Sequence, residues 1–345
     1  METPIFDTEI YRRMRIGAVQ PEYAWTNADL SGQSDAQRAE WQKAFRGRFA
    51  ALLGDLNAWE RPPLAPVVSE IVACEGYRRE TVSFTTRPGL TAFGYFLVPD
   101  SVTSDSKRPA VLCIPGHGVG VDGMCGLATE EYAADFALQS VRQGYPTFAL
   151  EITGFGRRRD GAALRTGAGT SSCGRDSTAA LMLGETMSGW RVWDAMRALD
   201  YLETRTDCVD PSRLAIMGIS GGGLVSLFTA ALDIRISACV VSSYFNTFAA
   251  SVLSIDHCVD NYVPGLLLLC EMPDLAALVA PRALFAVSGD SDPIFPIDAF
   301  REAVEQAADI YRVFGRSDRF ASEIFSGGHR FHGVGAFEFL AQQLV

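Results

Sequence analysis

After residue 70 the chain is punctuated by short apolar runs, each closed by a glycine- or aspartate-rich turn. Pro109–Ile114, Thr147–Ile152, Leu214–Met217 and Ala283–Val287 are too short for core helices and read as buried strands of a parallel sheet. Glu323-Ile-Phe325 is a shorter, partly apolar strand of the same kind. Two stretches alternate, Thr81–Thr85 and Thr91–Val98, as antiparallel edge strands do. Between the runs, Gly189–Leu202 and Leu224–Leu232 carry helical spacing, so strands and helices interleave and the fold class is α/β. Ahead of them, Ala36–Leu53 spaces its apolar residues as a helix does, and Gly54 is a helix stop. Arg61-Pro-Pro-Leu-Ala-Pro66 is a stiff connector. The chain therefore divides into an N-terminal helical extension, residues 1–68, and a main domain, 69–345. Within the latter, 157–185 is a polar, Gly/Ser-rich insertion long enough to be functional or mobile. Residues 244–275 lie between two strands and are a candidate cap insertion.

The most informative run is Leu214-Ala-Ile-Met-Gly-Ile-Ser-Gly-Gly-Gly-Leu224. A buried strand enters Gly-x-Ser-x-Gly, and a helix leaves it. This is the context in which a serine is lifted clear of the backbone to meet a base. Gly218 and Gly222 lack side chains where the turn brings backbone close to backbone. The Gly221 amide, at the helix N-terminus, faces any oxyanion formed at Ser220. Downstream, two more strands end in loops bearing ionisable groups: Asp290 and Asp292 after Val287, His329 and His332 after Phe325. In an open parallel sheet, sites gather at the carboxyl ends of strands. The Gly327-Gly328 pair lets the chain turn sharply into His329, which makes His329 the preferred base over His332.

Several blocks match in order. They are Pro115-Gly-His-Gly118, Gly154-Phe-Gly-Arg157, Gly189–Leu202, Val209-Asp-Pro-Ser-Arg-Leu214, the elbow, Ala231-Leu-Asp-Ile-Arg235 and Asp274–Arg282. Together they resemble the dienelactone-hydrolase and acetyl-xylan-esterase-like branch of the α/β-hydrolases, over about residues 75–345. The resemblance implies an α/β-hydrolase fold, with a mostly parallel central sheet and helices on both faces. It implies a Ser–Asp–His triad in that chain order. Gly289-x-x-Asp292-x-x-x-Pro296 resembles the acid loop, which assigns Asp292 rather than Asp290. The loop after Ile114 resembles the His-Gly loop that completes the oxyanion hole, with the Val119 amide first and that of Gly118 second. His117, ahead of the nucleophile strand, is then a structural anchor. Relatives often cleave acetyl or other short acyl esters. A serine rather than a cysteine at position 220 favours ester over dienelactone chemistry. In the cap, Tyr244, Phe245, His257 and Tyr262 are candidate pocket residues. Two other readings stand beside the esterase. A serine peptidase of prolyl-oligopeptidase type shares Gly-x-Ser-x-Gly-Gly, but no strand-repeat region for its propeller is seen. A catalytically silent binding protein is countered by the complete set of triad residues.

Composition narrows the partners. At 345 residues with 48% hydrophobic, the chain can bury a large core. A net charge of −11 disfavours nucleic acid and anionic membrane surfaces. No apolar run approaches the ~20 residues of a membrane span. The N-terminus lacks the basic start and apolar segment of a secretory signal, so a cytoplasmic location is expected. The eight cysteines form no Cys-x-x-Cys and are expected as free thiols. Asp256-His-Cys-Val-Asp260 lacks ligand spacing on one helix, so neither metal nor cofactor is expected. The expected partner is a small-molecule ester, with homo-oligomerisation left open.

Overall fold

The apolar runs become the middle of a twisted sheet in a computed structural model that describes residues 7–129, 132–167 and 170–345. Its strands are β1 (Val67–Cys74), β2 (Tyr77–Arg87), β3 (Leu90–Pro99), β4 (Arg108–Ile114), β5 (Thr147–Leu150), β6 (Val209–Ile219), β7 (Ile236–Ser242), β8 (Ala283–Gly289) and β9 (Phe320–Phe325). They lie side by side as β1-β2-β3-β5-β4-β6-β7-β8-β9. From β5 through β9 every neighbouring pair is parallel. β1, β2 and β3 join antiparallel at one edge, as the alternation of 81–98 predicts. The residues of β5 and β8 are buried throughout, because helices cover both faces.

Two apolar layers sandwich the sheet. One holds Phe84, Leu112, Phe148, Ile216, Val225 and Phe228. The other holds Val111, Cys113, Met217, Val240, Phe285 and Phe337. The alternate residues of β4 and β6 divide between them, as the period of a strand requires.

The helix Asp35–Leu52 starts at Ser34, whose side chain caps it, and buries Phe45 and Phe49 in the first layer. Phe49 meets Phe228 edge to face at 4.9 Å between ring centroids. Arg46 Nε donates to the Ala231 carbonyl at 2.9 Å, and Gln42 Nε2 to those of Ala277 and Ala280 at 2.6 Å each. The earlier helix Thr8–Gly17 buries no side chain.

The 157–185 insertion is more regular than its composition suggests. It carries the helices Gly161–Thr166 and Cys173–Met182. The first forms because Asp160 caps it, accepting the Ala163 amide at 2.8 Å. Residues 244–275 hold only short helical turns, Val259–Asn261, Leu266–Leu269 and Met272–Leu275. Among the described residues no single helix is long and apolar enough to cross a membrane, although the bent pair Val259–Leu269 and Met272–Val279 passes on length and composition together.

Candidate active site

β6 delivers Ser220 at φ 55° and ψ −123°, a conformation that L residues seldom adopt. Such strain costs about 1–3 kcal/mol and persists only where the surroundings over-determine it. Here they do. The Ser220 amide donates to the Ser242 carbonyl at 2.9 Å, and the Ser220 carbonyl accepts the Leu224 amide at 3.0 Å. A Cβ on Gly222 would lie 2.1 Å from the Ile114 carbonyl oxygen, and one on Gly218 would lie 2.3 Å from the Gly222 oxygen. Strand, turn and helix are thus locked together, with Gly221 opening the helix Gly221–Leu232. The first amides of a helix have no partner within it, so they are free to face an anion.

The acid and base loops converge through backbone. The Asp290 amide donates to the Phe325 carbonyl at 2.9 Å and the Ser291 amide to that of Gly327 at 3.0 Å. Asp292 is buried, and its Oδ2 lies 2.8 Å from His329 Nδ1. Its Oδ1 accepts the amides of Ile294 at 2.9 Å and Phe295 at 3.2 Å. The His329 ring lies nearly parallel to those of Tyr132 and Phe295, at centroid distances of 5.9 and 5.8 Å. Ser220 and His329 open into the same cleft of about 310 Å3. Asp290 is exposed and accepts the turn amide of Gly327 at 3.0 Å. His332 Nε2 lies 3.2 Å from Glu323 Oε1, and its ring stacks on Phe325, outside the cleft lining.

The loop after β4 carries His117, Gly118 and Val119, all half-buried. The Tyr132 hydroxyl donates to the His117 carbonyl at 3.2 Å, so one aromatic residue touches both this loop and His329. Glu151, at the end of β5, anchors the loop from below. Its carboxylate accepts the Val121 amide at 3.3 Å and the Arg157 amide at 3.2 Å. Gly120 and Gly156 both have positive φ, and a Cβ on either would fall within 2.2 Å of a Glu151 oxygen. The two glycine turns visible in the sequence are therefore two halves of one cradle. Burial pushes the Glu151 carboxyl up to about 8 against these amide hydrogen bonds.

The cap candidates separate. His257 lines the cleft beside Ile255, Asp256 and Cys258, and burial pulls its imidazole below the ordinary value. Tyr244 and Phe245 do not line it: both are fully buried in the first apolar layer. Tyr262 is not in the lining either, and its hydroxyl donates to the Val252 carbonyl at 3.1 Å. Their aromatic area is spent on attaching this segment to the domain rather than on facing solvent.

A cluster that the sequence does not announce adjoins the cleft. Asp260 is 2% exposed and pairs closely with the buried Arg191 guanidinium. His117 Nε2 lies 2.6 Å from Asp260 Oδ2, at an ion-pair distance but off the hydrogen-bond direction. Burial alone would raise the Asp260 carboxyl; Arg191 and His117 hold it well below the usual range. His117 stacks on Phe155 at 4.6 Å, so its anchoring runs through a carboxylate contact and a ring. His117, Cys258 and Asp260 also place an imidazole, a thiol and a carboxylate within 4.8 Å of one another. That donor set suits a transition metal, but Arg191 already neutralises the carboxylate. The expectation of no ligand grouping overlooked this convergence, because His117 comes from another loop.

Comparison with known proteins places the chain in a family. The model of the Abhydrolase family matches residues 8–311. The chain belongs to this α/β-hydrolase family. It is 29% identical over 291 residues to "Putative hydrolase YtaP" of Bacillus subtilis (strain 168), covering 82% of this chain and 92% of that protein. Among solved structures, a putative acetyl xylan esterase from Bacteroides fragilis NCTC 9343 superposes with a TM-score of 0.76 at 20% identity, over 100% of this chain and 91% of that one. A glucuronoyl esterase from Solibacter usitatus gives 0.63 at 18% identity, over 89% and 93%. The resemblance to the α/β-hydrolases read from the motifs is thus met by both sequence and fold.

Proposed function

We propose that this Abhydrolase-family chain is a serine carboxylic-ester hydrolase for small, short-acyl esters. The observation that carries the reading is Ser220, held at positive φ on a locked elbow and opening into one cleft with His329, which Asp292 holds. In this scheme His329 Nε2 takes the Ser220 proton as the hydroxyl oxygen attacks the ester carbonyl. Asp292 fixes Nδ1–H toward itself, leaving Nε2 free to accept. The Gly221 amide, with that of Val119 or Gly118 from the His117 loop, holds the tetrahedral oxyanion. His329 then protonates the leaving alcohol, and water hydrolyses the acyl-enzyme through the same base.

The substrate class rests on two supports. A cleft of about 310 Å3 lies at the small end of the range for ligand pockets. The names carried by structural relatives, acetyl xylan esterase and glucuronoyl esterase among them, are those of carbohydrate esterases. A panel of p-nitrophenyl esters from acetyl to decanoyl, run with acetylated sugars and a peptide anilide, tests the reading. Acetyl to butyryl should exceed octanoyl by roughly tenfold in kcat/KM. An open acyl tunnel would add up to ~0.8 kcal/mol per buried methylene, so rates climbing to decanoyl would refute short-acyl selectivity. Ser220→Ala should stay folded and lose nearly all turnover, since removal of a triad nucleophile costs on the order of a million-fold. More than about a tenth of wild-type turnover in that variant would remove Ser220 from the mechanism.

A further inference from the structure

One wall of the cleft holds two sulfurs that the hydrolytic reading does not use. Cys258 lines the cleft with Ser220 and His117. Cys173, 1% exposed, begins the helix Cys173–Met182 in the 157–185 insertion. Their Sγ atoms lie 3.6 Å apart, in van der Waals contact, although 85 positions separate them in the chain. We propose that Cys173 and Cys258 are a reversible modification site, joined as a disulfide by an oxidant of the hydroperoxide class, and that the bond reshapes the cleft beside Ser220.

The surroundings favour a reactive pair. Arg191 Nη2 donates to Cys173 Sγ at 3.2 Å, and Asp260 Oδ2 and Ser177 Oγ lie 3.2 and 3.7 Å from the same sulfur. The hydrogen bond from Cys258 lowers the Cys173 thiol below its ordinary value, with Arg191 helping against burial. The same hydrogen bond, with burial, pushes the Cys258 thiol up, and burial pushes up Cys113, Cys125, Cys208, Cys239 and Cys270. Thiolate character and access decide which cysteines oxidise. Here the more acidic thiol and the more accessible thiol are two halves of one pair.

The chemistry balances with peroxide alone. The Cys173 sulfur, as thiolate, attacks a peroxide oxygen that enters past Cys258; an S–O bond forms, the O–O bond breaks, and hydroxide leaves. The Cys258 sulfur then attacks the sulfenic sulfur of Cys173. The S–S bond forms, the S–O bond breaks, and hydroxide leaves again, while the released thiol proton and one from solvent make two waters in all. The two sulfurs give up two electrons and the peroxide is reduced. A small dithiol reverses the bond by exchange.

Closing the contact to a covalent S–S of about 2.05 Å draws Cys258 toward the insertion. It also takes away the Cys173 S–H that donates to Asp260. Cys258 is flanked by His257 in the cleft lining, and Asp260 sits against His117. The bond thus moves the part of the cleft wall that carries His257 and Cys258.

The test treats folded protein with hydrogen peroxide, then alkylates and maps peptides without reduction. The wild type should lose two of its eight thiols, counted after denaturation, give a 173–258 linked peptide, and regain both thiols with dithiothreitol. Cys258→Ser, at the half-buried position, and Cys173→Ser should give no linked peptide. Folded wild type that keeps all eight thiols, or loses thiols without that linkage, overturns the proposal. The effect on the cleft rests on the ester-hydrolase reading. Linked protein should show at least a threefold lower kcat/KM for p-nitrophenyl acetate, restored by dithiothreitol. Linkage with unchanged kcat/KM overturns the coupling to the cleft. Absence of any esterase activity in untreated wild type is a failure of the hydrolase reading instead, and the thiol count still decides the disulfide.

Discussion

Asp292→Asn tests the hydrolytic geometry most sharply, because the structure leaves the amide no good orientation. The carboxylate receives three hydrogen bonds: one from His329 Nδ1 at 2.8 Å, and two from the amides of Ile294 and Phe295 at 2.9 and 3.2 Å. An asparagine has one acceptor oxygen. If that oxygen keeps the two backbone amides, its NH2 faces Nδ1, which must then be unprotonated. The proton moves to Nε2, the nitrogen required to accept from Ser220. If the amide flips, the NH2 confronts two backbone N–H groups, leaving buried donors unsatisfied at about 1–3 kcal/mol each. The first arrangement is the cheaper, so the fold survives and the tautomer is wrong. The same change in a well-studied serine triad costs about ten-thousand-fold in turnover, or about 5.4 kcal/mol at 1.36 kcal/mol per decade. We expect that order of loss in kcat for p-nitrophenyl acetate, with an unchanged circular dichroism spectrum. Asp290→Asn, which alters contacts within an exposed turn, should stay within about threefold of wild type. Turnover above about a tenth of wild type in folded Asp292→Asn, or a greater loss in Asp290→Asn, would show that Asp292 does not orient the base.

Other outcomes follow from neighbouring contacts. His329→Ala should abolish turnover, whereas His332→Ala, whose partner is the half-exposed Glu323, should keep at least half; the reverse order in a turnover assay moves the base by three residues. Gly222→Ala should lose about 3 kcal/mol or more, or fail to fold, because its Cβ meets the Ile114 carbonyl; urea unfolding at wild-type midpoint would disprove the close packing. Glu151 carries its cost on the alkaline side. Its folded value of about 8 lies above the ordinary carboxyl value, so its contribution is full at low pH and is lost as pH rises through about 8. Glu151→Gln should therefore gain stability relative to wild type between pH 5 and 8.5, by a few kcal/mol at most at up to 1.36 kcal/mol per pH unit. A difference in urea midpoints that stays flat across that range contradicts the burial argument.

The parts of this molecule legible in its sequence are those that local chemistry dictates. A strand, a glycine-flanked serine and a helix occupy 214–232 without a break, and the strands bearing Asp292 and His329 end in loops of fixed composition. The cluster around Asp260 is different in kind. His117, Arg191, Cys173 and Asp260 come from four separated segments, and no spacing rule links residues 69 and 87 positions apart. Tyr132 gives no signal for the same reason: its role is to touch two loops that the sheet brings together. The helices in 157–185 were hidden by glycine and polar content, which lower helix propensity while caps such as Asp160 restore it. Tyr244 and Phe245 show the opposite error. Bulky aromatics in an inserted segment look like pocket walls, yet burial in the core offers them the larger apolar area.

The helix Asp35–Leu52 has a consequence for how the chain reaches this fold. It is made early in synthesis, but its partners Phe228, Ala231, Ala277 and Ala280 emerge some 180 residues or more later. Until then Phe45 has only Tyr23 and Trp41 against it, and Phe49 lacks the ring of Phe228. The elbow helix likewise has no finished outer face until the earlier segment returns to it. Contacts of such long range are slow to close, and waiting apolar faces invite association with other chains. A helix synthesised well before its partners thus docks only after them, so removing it exposes the back of the elbow rather than trimming an appendage.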